Sequence, residues 1–168
     1  MDTSPTSASE SRSAGETEDR SLEELRTSLG QDYEVVRQLG KGAVATVYLA
    51  RDRALGVLVA IKVLRPGQAS DETTRRRFDR EARAAASLAE HPNVVAVRRF
   101  GRLPDETPYL VMQYVKGRTM AERLKAEGRL SVAEARQVIR EVASALDVAH
   151  GMGIVHLDPQ PGYVLWDE

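Results

Sequence analysis

The chain contains no cysteine. That excludes disulfide staples, thiolate metal ligands and a cysteine nucleophile. An excess of one charge sign is also lacking: 24 Lys and Arg face 25 Asp and Glu, for a net charge of −1. No global field therefore directs the protein to nucleic acid or to an anionic membrane. The histidines (His91, His150 and His156) lack the spacing of metal ligands, so no metal site is expected from them. No apolar run approaches the roughly 20 residues needed to cross a bilayer. The amino terminus lacks the basic-then-apolar order of a secretory signal. These absences lead to the expectation of a soluble, cytoplasmic protein with no nucleic-acid partner and no membrane segment in this chain. At 168 residues it can bury a sizeable core, as one domain or as part of a larger one.

What is present changes character along the chain. Residues 1–20 are acidic and rich in Ser and Thr with almost nothing apolar, the composition of a disordered tail. Ser21-Leu22-Glu23-Glu24 reads as a capping box, and Leu22, Leu25 and Leu29 share a helical face before Gly30. A short helix or linker is expected over 21–32, either packed on the strands after it or fraying. Tyr33–Leu39, Thr46–Arg51 and Leu58–Leu64 then read as strands of an antiparallel meander closed by Pro66-Gly67. The spacing predicts a helix from about Asp71 to Leu88, with Phe78, Ala82, Ala85 and Leu88 inward. Two more strands, Val94–Arg102 and Tyr109–Tyr114, flank the turn at Pro104-Asp105.

Lys116-Gly117 breaks the sheet, and everything after it is expected to be helical. A short helix covers Thr119–Glu127, and a second capping box at Ser131 opens a long helix to about His150. Ala135, Val138, Ile139, Val142, Leu146 and Ala149 form its expected buried stripe. The fold class is α+β: a five-stranded antiparallel sheet with one main helix, a hinge, and the start of a helical region.

The chemistry concentrates in the first strands. Gly40 and Gly42 lie between two strands, which makes a hairpin rather than a turn feeding a helix. Glycine lets backbone amides approach phosphate oxygens with no Cβ in the way. Lys62 ends Val59-Ala60-Ile61-Lys62, an apolar strand where an ammonium is costly without a counter-charge. Glu81, one residue before the inward Ala82, is the expected partner.

On these residues the chain resembles the protein kinase family, most of all the bacterial Ser/Thr kinases, over Tyr33 to about Leu165. Leu39-Gly40-Lys41-Gly42-Ala43-Val44-Ala45-Thr46-Val47 is similar to the family's glycine-rich loop, with Ala45 in place of the third glycine. Val59-Ala60-Ile61-Lys62 resembles the strand whose lysine holds phosphates, and Phe78-Asp79-Arg80-Glu81-Ala82 the helix that supplies its glutamate. Leu110 to Gly117 resembles the hinge. The resemblance implies a kinase amino-terminal lobe and hinge over 33–115 and part of a carboxyl-terminal lobe over 116–168. It implies ATP as cofactor, Met112 as gatekeeper, and the Gln113 and Val115 backbones as adenine partners. Leu39, Gly40, Gly42, Val47, Ala60, Lys62 and Leu165 would complete the nucleotide site, and a protein Ser/Thr substrate would follow if the lobe were completed.

The likeness breaks at His156-Leu157-Asp158-Pro159-Gln160-Pro161-Gly162-Tyr163-Val164-Leu165. The family writes His-Arg-Asp-Leu-Lys-Pro-Glu-Asn-Val-Leu there. Asp158 keeps the place of the catalytic aspartate, which together with Lys62 and Glu81 makes the implied catalytic set. Gln160 replaces the lysine that neutralises the transferring phosphoryl group, and Tyr163 replaces the asparagine that binds Mg²⁺. Asp-Phe-Gly, the other magnesium element, does not appear, so Mg²⁺ is expected for the family while its ligands here are missing or substituted. The chain as written is therefore expected to be a truncated or inactive kinase, a nucleotide- or partner-binding pseudokinase module, or a fragment without function. Each departure, Trp166 in place of a leucine included, is one base change from the family residue. Their crowding into residues 157–166 points to a decaying or truncated gene, or to errors at the sequence end, rather than to selected loss of catalysis. In an incomplete lobe, Val138, Ile139, Val142 and Leu146 would face water and offer a surface to a protein partner.

Overall fold

Strand-forming and helix-forming residues segregate along this chain, and a computed structural model describing residues 22–167 gives the result. Helix α1 covers 22–29. Strands β1 (Tyr33–Lys41), β2 (Ala45–Asp52), β3 (Leu58–Leu64), β4 (Val97–Arg102) and β5 (Pro108–Gln113) form one antiparallel sheet. Their order is β1-β2-β3-β5-β4. Helices α2 (Pro66–Ala69) and α3 (Glu72–Ser87) connect β3 to β4. Asp71 caps α3 by accepting from the Thr73 and Thr74 backbone N–H groups, satisfying donors that the helix itself leaves open.

Side chains alternate along a strand, so each face of the sheet gains its own core. One face buries Tyr48, Val59, Ile61, Val63, Tyr109 and Val111 together with Leu25 and Leu29 of α1. The first helix thus packs on the sheet, with Arg26 Nε donating to the Val35 carbonyl at 3.2 Å. The opposite face buries Ala45, Leu64 and Leu110 against Phe78 and Ala82 of α3. By the same alternation this second face carries Val47, Ala60, Lys62 and Met112. The acidic tail over 1–20 and the Ser21 cap lie outside the described residues.

The region after β5 differs from the expectation of helix alone. Strand β6 (Gly117–Thr119) pairs antiparallel with β7 (Leu165–Asp167), and the 3₁₀ turn Pro161–Tyr163 precedes β7. Three residues are too few to show a strand period, and their pairing partner is remote in sequence. Gly117 is what lets the two strands meet: a Cβ there would lie 1.9 Å from the Trp166 carbonyl oxygen. Helices α4 (Met120–Glu127) and α5 (Val132–Gly151) follow β6, each opened by a capping box, from Thr119 and Ser131 respectively.

Other corrections are local. Pro66-Gly67 closes the meander after β3 and in doing so opens α2, a helix not expected there, because proline suits the first helical position. β4 begins only at Val97, since the Val94 N–H bonds back to the His91 carbonyl in a turn. The expected buried stripe of α5 reduces to Ala149; Ile139 is 68% exposed, and Ala135, Val138, Val142 and Leu146 are half-buried. Too little of the described chain packs against α5 to cover it.

Candidate functional site

The glycine hairpin is tighter than the sequence indicates. β1 continues past Leu39 through a bulge between Gln38 and Gly40 and pairs to its end, Gly40 opposite Val47 and Lys41 opposite Thr46. Only 42–44 are left to turn, and the Gly42 N–H closes the turn on the Ala45 carbonyl at 2.9 Å. A Cβ at Gly40 would meet nothing within 4 Å, so the space beside that backbone is open.

Lys62 sits in the middle of the sheet, between Val47 of β2 and Leu110 of β5. Its Nζ meets Glu81 Oε2 of α3 at 3.2 Å and lies 5.5 Å from the centre of the Phe78 ring. α3 is therefore docked with its glutamate turned to the strand lysine, as expected. The expected burial is not found: the Lys62 and Glu81 side chains are 32% and 56% exposed. A pair so wet contributes about 0–1 kcal/mol to folding. Phe78, which the sequence marks only as core, also supplies a ring face to the ammonium.

Val47, Ala60 and Met112 adjoin Lys62 on the same face, with Ala60 directly opposite Met112. Gln113 ends β5, opposite Val59, and its N–H donates to the Ala96 carbonyl at 2.8 Å. Val115 lies in the link to β6. Leu165 belongs to β7, opposite Thr119, and is 41% exposed. Across the two regions, His91 Nε2 and Ser144 Oγ are 3.2 Å apart, and His91 Nδ1 accepts from the Asn93 N–H.

The loop carrying Asp158 is exposed throughout. Leu157 is 84% exposed in a left-handed conformation, φ 67°. The Asp158 N–H bonds the His156 carbonyl at 2.9 Å. Gln160 Nε2 donates to Asp158 Oδ2 at 2.5 Å, so the amide takes up one oxygen of the carboxylate. The Tyr163 ring packs 6.0 Å from that of His156. Among the described residues no group of three or more His, Asp or Glu is placed to hold a metal ion.

A family profile described as the protein kinase domain matches residues 33–168. The chain belongs to the protein kinase family. Among curated relatives, this kinase chain is 43% identical over 135 residues to the serine/threonine-protein kinase PrkC of Bacillus subtilis, covering 80% of this chain and 20% of PrkC. It is 37% identical over 147 residues to a probable serine/threonine-protein kinase PknB of Bifidobacterium longum, covering 83% of this chain and 21% of the relative. The kinase chain thus spans about a fifth of the length of these relatives. Among solved structures, the Mycobacterium tuberculosis PknI kinase domain superposes with a TM-score of 0.69 at 36% identity, covering 81% of this chain and 56% of that one. The five-stranded sheet with its α3 helix and the partial helical region are therefore those of the protein kinase fold. No helix among the described residues is long and apolar enough to cross a membrane.

Proposed function

We propose that this chain is the nucleotide-binding part of a Ser/Thr protein kinase, holding ATP between the glycine hairpin and the Lys62 face, and that residues 1–168 alone do not transfer phosphate. The observation that carries the reading is the Lys62–Glu81 pair at 3.2 Å on the face that also bears Val47, Ala60 and Met112. An ammonium fixed by one carboxylate keeps hydrogens for phosphate oxygens, and Gly40 and Gly42 keep the hairpin above them bare of side chains, so that its backbone can approach. Leu39, Val47, Ala60 and Leu165 supply apolar walls for the base, and the Gln113 carbonyl and Val115 N–H its polar edge.

Magnesium fits these residues poorly. Asp158 has Gln160 on one oxygen, and Tyr163 offers a phenol beside His156 where the family has its metal-binding asparagine. Phosphoryl transfer relies on positioned charge, and single contacts of that kind are each worth about 3 kcal/mol. Neutral Gln160 and Tyr163 together therefore lower the rate by several orders of magnitude, which favours a pseudokinase-like nucleotide-binding role.

Thermal unfolding with and without ATP tests the proposal. Ligand that binds only the folded protein raises the melting temperature. A rise with ATP that persists without Mg²⁺ and disappears in Lys62→Met is the expected result. No rise at millimolar ATP refutes nucleotide binding, and Mg²⁺-dependent transfer to a Ser/Thr peptide refutes the inactivity.

A further inference from the structure

One polar cluster near the carboxyl end has no part in that scheme. Arg123 of α4 places its guanidinium carbon 4.3 Å from the centre of the Trp166 ring on β7. Its Nε donates to Glu127 at 3.0 Å, and Nη2 donates to the Glu134 carboxylate of α5. The side chain is only 13% exposed, so the indole, two carboxylates and two helices enclose one cation. A planar guanidinium can stack on a ring and bond carboxylates at its edge together, which a lysine ammonium cannot.

Trp166 and Leu165 are neighbours on a strand, so their side chains leave opposite faces of β7. The stack on one face therefore sets what the other face presents. Two bonds carry the setting: β7 pairs with β6 at Thr119–Leu165, and the Met120 N–H donates to the Val164 carbonyl at 2.8 Å. We infer that Arg123 is a positioning residue: by stacking on Trp166 it anchors β7, and with it Leu165 and the loop that ends at Val164, beneath the nucleotide. This inference rests on the nucleotide-binding reading.

The full chain tests it directly, because Trp166 is its only tryptophan and its emission reads this contact alone. Arg123→Ala is expected to shift the emission to the red, to raise acrylamide quenching, and to weaken ATP binding roughly fivefold to thirtyfold, the range from an exposed to a desolvated cation–π contact. Arg123→Lys keeps the cation and recovers part of the affinity, and Trp166→Phe keeps the ring and recovers most of it. A purely structural role would lower the melting temperature while leaving the ATP dissociation constant unchanged, and that result overturns the inference. Should Arg123→Ala fail to fold, Trp166→Leu removes the stack while keeping an apolar strand residue, and unchanged ATP affinity there overturns it equally. If the unmodified chain binds no ATP, the functional reading fails and takes the inference with it. Equal affinities in a chain that does bind ATP defeat the inference alone.

Discussion

In the sheet, Val59 and Ile61 are wholly buried, whereas on α5 Val132 and Ile139 are 74% and 68% exposed. Similar side chains thus meet opposite fates in the two regions of one chain. Beyond Val111, only Met120 and Ala149 are buried hydrophobics among the described residues. The sheet is sandwiched between α1 and α3 and has a core on each face. The helical region is held instead by end-on devices: two capping boxes, the short β6–β7 pair, and the ion pairs around Arg123. Stability in the first region comes from area removed from water, and in the second from a few directional bonds.

The largest expected effect tests that contrast directly. Ile61→Ala removes a fully buried side chain between two strands and is expected to cost about 2–5 kcal/mol. Ile139→Ala, a change of the same size on α5, is expected to fall within about 0.5 kcal/mol of no effect. Urea denaturation of the two variants measures both. A costly Ile139→Ala would mean that α5 is covered in solution, and the contrast would vanish.

The next effect is local to the second region. Gly117→Ala places a methyl 1.9 Å from the Trp166 carbonyl oxygen, closer than any real contact, so β6 and β7 must separate. The expected loss is about 1–3 kcal/mol. The shift of Trp166 emission to the red reports the strand separation, and the emission of this variant should not be restored by ATP.

The same difference decides what sequence reasoning finds. The sheet is legible because its strands are long enough to display β-branched runs, and α3 because Phe78 and Ala82 recur at helical spacing. The capping boxes at Thr119 and Ser131 are purely local, and the one at Ser131 reads directly from its residues. The Lys62–Glu81 pairing is also legible, since a lysine on an apolar strand demands a partner. What stays hidden depends on remote contacts. Leu165–Asp167 has no strand period of its own, and nothing near Arg123 in the sequence announces Trp166 or Glu134. The stripe on α5 misleads for a related reason: periodicity shows which face is apolar and does not show whether anything covers it. At the candidate site, the bond from Gln160 to Asp158 is likewise invisible, because residue type alone does not say where an amide turns.

The smallest effect is expected from acid, and it bears mainly on the second region; in the first it reaches only the opening turn of α3, where bonds from Thr74 and Arg76 lower the carboxyls of Asp71 and Glu72. The Ser131 hydroxyl and backbone N–H, and then the Arg123 guanidinium, hold the Glu134 carboxyl well below its ordinary value, at about 2. A depressed carboxylate stabilises the fold fully above its unfolded value, near 4.5, and that contribution fades as pH falls toward about 2. Glu122 is displaced in the same direction by the Thr119 backbone and hydroxyl. Between about pH 4.5 and 2 the helical region should therefore loosen in proportion to these carboxylates, read as a progressive change in Trp166 emission. Glu134→Gln removes a titrating partner from the network around Arg123 and is expected to flatten that part of the pH profile. The sheet, whose cores hold no such groups, should keep its strand signal in circular dichroism through the same window until general acid unfolding begins. Simultaneous loss of both signals would show that the two regions unfold as one unit, and the directional bonds of the second would then be coupled to the cores of the first.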